Sequence, residues 1–167
     1  MIRSITDFDR VWSTELEATQ KILKHITDSS LSQRVDVEGR TLGRLAWHVV
    51  TSIPEMMSRT GLTLAGPHPD APVPGTAKEI FRAYNEAAVS LLEQVKTGWS
   101  DATLEQEDDM YGENWKRGDT LTSLVLHQAH HRGQMTVLMR QAGLELPGIY
   151  GPARQEWAAF GMKPPEI

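Results

Sequence analysis

The chain has 167 residues with 40% in the apolar set, enough for one well-buried core, so a single domain over residues 1–167 is expected. Its net charge is −5 and its lysines and arginines are scattered, leaving no basic stripe to neutralise phosphates, so nucleic acid is excluded as an expected partner. The absence of cysteine excludes disulfides, thiolate ligands and a cysteine nucleophile, so any thiol chemistry has to arrive with a co-substrate.

The opening stretch MIRSITDFDRVW lacks the apolar core of a signal peptide, and no run approaches the ~18 apolar residues of a membrane helix. A soluble cytoplasmic protein with no membrane contact is expected. A first helix is predicted from about Thr6 or Asp7, carrying Val11, Trp12, Leu16, Thr19, Ile22, Leu23 and Ile26 inward until Asp28-Ser29-Ser30 breaks it. Thr41 is a candidate N-cap for the second, whose stripe is Leu42, Leu45, Ala46, Val49, Ile53 and Met56. Pro54 removes one backbone donor inside it, predicting either a bend or an irregular end. Gly61 and the run GPHPDAPVPG mark a long loop. Thr76 and Glu79 resemble a capping box opening a third helix with Ile80, Tyr84, Ala87, Ala88, Leu91, Leu92 and Val95 inward and Gly98 just past its end. A fourth is predicted from Asp119 or Thr120 to Ala142, stopped by Gly143, and the tail holds a short helix around Ala153–Phe160.

No alternating strand pattern interrupts these signals, so the expected fold is all-α: an up-down-up-down four-helix bundle with a C-terminal extension. In such a bundle the second and fourth helices run parallel. His48 then lies seven residues past Thr41 and His127 eight past Asp119, so at ~1.5 Å of rise per residue both sit about 10–12 Å from their helix starts. His127 and His131, at i and i+4, project from one face and can grip one ion together. Both fall on a flank of the apolar stripe formed by Leu121, Leu124, Met135 and Leu138, and His48 occupies the same kind of flank beside Ser52 and Glu55. His130 points almost oppositely and is expected at the surface.

Three neutral imidazoles leave coordination positions open, the stoichiometry of a catalytic site. The donors suit zinc, nickel, iron or copper alike. Each ligating ring should hand its second N–H to an acceptor, for which Gln134 and Glu55 are the nearest candidates by spacing; Glu55 is alternatively a general base. Arg132 falls on the apolar side of its helix and needs a partner, expected to be a carboxylate of the first helix or of the tail. The opposite face carries Leu126, Ala129, Gly133 and Val137, so this helix is either central or meets a second subunit. Tyr111, Trp115, Tyr150 and Trp157 are candidates for a pocket mouth or for packing, and DDMYGENWKRGD is long and polar enough for a lid.

GRTLGRLAWHVV, HQAHHRGQM and LPGIYGPARQEW together resemble the DinB/YfiT-like superfamily of metal-binding four-helix bundles over nearly the full length. The resemblance implies a divalent metal on the matched residues His48, His127 and His131, and a homodimer. Some relatives are S-transferases using bacillithiol, mycothiol or glutathione. The leading expectation is therefore a metal-dependent enzyme activating a low-molecular-weight thiol for attack on an electrophilic small molecule. The alternatives are a hydrolase using metal-bound water, a non-catalytic metal-binding stress-associated protein, and a partner-binding helical module without metal.

Overall fold

The computed structural model describes residues 2–166. Four helices carry the fold: α1 (Ile5–Lys24), α2 (Leu42–Ser58), α3 (Ala77–Gly98) and α4 (Arg117–Gln141). The first three begin on the hydroxyl caps their sequences offer: Ser4 accepts from the Asp7 N–H, Thr41 from Arg44 and Thr76 from Glu79. At the third cap the Thr76 hydroxyl also donates to the Glu79 carboxylate at 2.7 Å. α2 continues through Pro54 to Ser58, and Gly98 is the last residue of α3, with Trp99 as its cap. Gly143 follows α4 in the left-handed region, at φ 74°. The tail forms a short 3₁₀ helix, Arg154–Phe160.

α4 starts two residues ahead of Asp119 because a strand leads straight into it. β1 (Glu107–Met110) and β2 (Glu113–Lys116) form an antiparallel hairpin with Met110 opposite Glu113. The two turn residues, Tyr111 and Gly112, have φ of 62° and 89°, the double positive-φ requirement of a type I′ turn. The segment read as a polar lid is thus a hairpin, concealed by the low strand propensity of EDDM and ENWK.

The helices form a bundle whose running directions differ from those expected. Lys96 reaches Asp9 at 3.1 Å, the Trp12 indole donates to the Ala88 carbonyl and Gln20 to Asn85, so α1 and α3 are antiparallel. The Ile2 N–H meets Thr122 near the start of α4, and Arg132, further along α4, meets Thr19 further along α1; these two are parallel. Leu45 lies with Gln134 and Leu138, Val49 with Gln128, and Glu55 with Tyr111 just before α4, so α2 and α4 are antiparallel. The order is up-down-down-up. It arises because residues 59–76 do not turn the chain back but carry it the whole length of α2, about 25 Å, before α3 starts. The Trp47 indole and Ser90 hydroxyl donate to this strap at Ala71 and accept from it at Ala65, respectively.

The core is the shared interior, with Phe8, Trp12, Ile22, Leu42, Ile53, Met57, Ile80, Tyr84, Leu91 and Leu121 essentially without solvent contact. Arg132 is buried and pairs with Glu15 of α1 and with the Tyr150 hydroxyl from the tail, while Thr19 accepts from its other terminal nitrogen at 2.8 Å. The guanidinium thus has the expected α1 carboxylate and, from the tail, a tyrosine hydroxyl in place of a carboxylate, while its buried Nε has no hydrogen-bond partner among the described residues.

Candidate metal centre

His48 comes from the middle of α2 and His127 and His131 from the middle of α4. Antiparallel packing explains their common level. His48 lies ten residues before the end of α2 at Ser58, and His127 ten residues after the start of α4 at Arg117, so each stands about 15 Å from the same end of the bundle. The expected level is right and the parallel arrangement used to reach it is not. Gln128, buried between the two helices, donates to the Val49 carbonyl at 2.9 Å and to the Ser52 hydroxyl at 3.3 Å, fixing the register beside the rings.

All three rings present Nε2 inward. His127 Nε2 lies 3.1 Å from His48 Nε2 and 3.1 Å from His131 Nε2, and the three candidate donor atoms lie within 4.8 Å of one another. Imidazole nitrogens at about 2.0–2.1 Å from one ion stand about 2.9–3.4 Å apart for bond angles between octahedral and tetrahedral. The two spacings from His127 are in that range. His131 Nδ1 is 2.7 Å from the Gln134 side-chain oxygen, an acceptor, so Nδ1 carries the proton and Nε2 faces inward as a lone pair. The Nε2 of His127 has a ring nitrogen on each side, and a single N–H satisfies only one of them. A cation satisfies all three, and the donor set fits a divalent ion.

The electrostatics agree. Burial, reinforced by the other imidazoles, lowers His48 to about 4 and His127 to about 4, and burial also lowers His131, opposed by its Gln134 hydrogen bond. Neutral rings are the form that ligates. The His127 Nδ1 is buried with no hydrogen-bond partner among the described residues. Glu55 directs its carboxylate to the Tyr111 hydroxyl at 2.7 Å and to Arg59 at 3.3 Å, and it opposes the lowering of His127 through its charge. The Tyr111 ring also stacks beneath the Arg59 guanidinium at 4.2 Å. Sequence spacing did not disclose this contact, because the hairpin that delivers Tyr111 was not foreseen.

His130 is exposed, as expected. Trp115 is half-buried against the core, Tyr150 covers Arg132, and Trp157 sits in the tail helix. The second apolar face of α4 is at the surface, with Leu126 65% and Val137 50% exposed, so α4 is not enclosed by the bundle. No helix among the described residues is long and apolar enough to cross a membrane.

Residues 1–166 match the family model described as the DinB family. The protein YrdA of Bacillus subtilis (strain 168) is 46% identical over 167 residues, covering 100% of each chain. Among solved structures, a DinB-like protein from Bacillus cereus ATCC 10987 superposes with a TM-score of 0.87 at 45% identity, covering 90% of this chain and 100% of that one. The DinB-like protein YjoA of B. subtilis shares the fold at a TM-score of 0.68 and 20% identity, over 85% of this chain and 96% of its own. With a family model matched over all but the last residue and a full-length relative at 46% identity, the chain belongs to the DinB family.

Proposed function

We propose that the protein is a metal-dependent enzyme of S-transferase type, in which His48, His127 and His131 hold one divalent ion, zinc or nickel foremost, with iron or copper open to the same donors. The observation that supports it is the convergence of three imidazoles on a flank of the bundle, with His127 Nε2 3.1 Å from the Nε2 of both His48 and His131 and the three donor atoms within 4.8 Å of one another. An ion in such a site lowers the pKa of a thiol or water beside it. The chain's own groups do the rest. Gln134 orients the His131 lone pair, and burial keeps the rings neutral. Glu55, aligned by Tyr111 and Arg59, takes the thiol proton while sulfur bonds to the electrophilic carbon and the leaving group departs with its electron pair. Water in place of the thiol would make the same arrangement hydrolytic, and an ion that only joins α2 to α4 would make a non-catalytic, stress-associated metal protein.

Elemental analysis of untagged protein should find one divalent ion per chain. The loaded protein should accelerate conjugation of monochlorobimane to a low-molecular-weight thiol, and His127→Gln should lose both ion and rate. Ester turnover without thiol would transfer the assignment to hydrolysis, and stoichiometric metal with neither activity would leave the non-catalytic role. Protein that takes up no ion overturns all three.

The same reading takes residues 1–167 as one cytoplasmic domain. It also pairs two chains through the exposed α4 face of Leu126, Ala129 and Gly133, where an uncovered apolar stripe is costly in water. Sedimentation equilibrium should give twice the chain mass, and Leu126→Glu should return it to that of one chain.

A further inference from the structure

Beside the histidines, a cleft of about 480 Å³ opens between the segment leading into α2 and the upper half of α4. Of the three histidines, His131 lines it. Leu45, Val137 and Leu138 supply apolar walls, and Arg40 and Gln134 line it with donors. The Arg40 guanidinium has no salt-bridge or hydrogen-bond partner among the described residues, and its charge is felt at both His48 and His131. Asp36 borders the same cleft, but its carboxylate accepts the Glu38 N–H at 2.9 Å and lies outside ion-pair range of Arg40. Gln134 spends its oxygen on His131, which turns its amide N–H groups over to other acceptors.

An unpaired guanidinium, a free amide donor and an apolar wall form a site with a defined chemical complement. The guanidinium fork suits a carboxylate, and the wall suits a short apolar chain. We infer that this cleft binds a carboxylate-bearing small molecule, with the carboxylate on Arg40 and Gln134 and the rest of the molecule directed along Leu45 and Leu138 toward the three histidines. The inference rests on the metal-centre reading only for what happens at His131, since the cleft recognises its ligand without the ion. The carboxylate can arrive on the thiol or on the electrophile, and the two sources are separable.

Amide NMR of the metal-free protein tests the cleft alone. Hexanoate should shift the Gly39, Arg40 and Gln134 resonances saturably while hexan-1-ol leaves them in place, and Arg40→Gln should weaken hexanoate about tenfold, with Arg40→Lys recovering part of the loss. Arg40 is exposed and outside the core, so both variants should fold. In the cobalt(II)-loaded protein, visible spectra then compare 3-mercaptopropionate with 3-mercapto-1-propanol. A roughly tenfold preference for the acid that Arg40→Gln abolishes places the carboxylate on the thiol. Equal thiol affinities, with hexanoate still bound in their presence, place it on the electrophile. Hexanoate shifts no larger than those of hexan-1-ol, together with equal thiol affinities, overturn the inference. Failure to bind cobalt removes the metal reading while the hexanoate result still decides the cleft.

Discussion

An imidazole half-buried beside two others resists protonation, which makes pH a lever on His48 and His127. Well above pH 6.5 both are neutral whether the chain is folded or not. Between 6.5 and about 4 the unfolded chain binds protons that the folded one refuses, so folding loses stability as the pH falls through that window, with the loss complete below it. Thermal melts of chelated protein at pH 7.5, 6 and 5 should decline in that order, and the His48→Gln/His127→Gln double variant should flatten the decline. A pH-independent wild type would show that the rings are more open to water than their burial implies. The same depression serves ligation, because proton competition for the donor nitrogens is displaced well below neutral pH.

Between elements, the Arg132 cluster is the tie that the apolar stripes do not supply. Arg132 is 3% exposed and joins α4 to Glu15 and Thr19 of α1 and to Tyr150 of the tail. Arg132→Met leaves Glu15 buried without its counter-charge and should cost about 3–5 kcal/mol in chemical denaturation. The Arg132→Met/Glu15→Leu double variant should recover much of that, since it removes the stranded carboxylate as well; a double variant no better than the single would assign the loss to packing. The need for such a partner was legible in the sequence, as were the helices, because each rests on a local signal: a hydroxyl cap at Thr41 or Thr76, a 3.6-residue period, a glycine stop at Gly143. Helix direction has no local signal. Residues 59–76 read equally well as a wide turn or as a strap along α2, and only their packing against Trp47 and Ser90 decides. The hairpin was hidden for a related reason: its register is set by the Tyr111-Gly112 turn and by buried Met110, whereas the strand residues themselves are mostly exposed and acidic.

In the whole molecule, the candidate site survives the error in topology because histidine placement depends on distance from a shared end of the bundle. Ten residues back from Ser58 and ten forward from Arg117 meet at one level in the antiparallel arrangement, and the flank positions of His48, His127 and His131 then bring the rings together. The donors thus bridge two helices that Gln128 and the apolar interior already hold. Removing an ion from such a place should leave the scaffold standing. Chelation is therefore expected to leave the helical circular dichroism unchanged at 25 °C. Ligand linkage still operates, and free ion at a hundred times its dissociation constant adds about 2.7 kcal/mol, or about 5–10 °C in Tm for a chain of this size. The rise should grow with the logarithm of ion concentration and vanish in His127→Gln. Loss of helicity on chelation would instead mean that the ion builds the bundle, moving the centre from chemistry to structure.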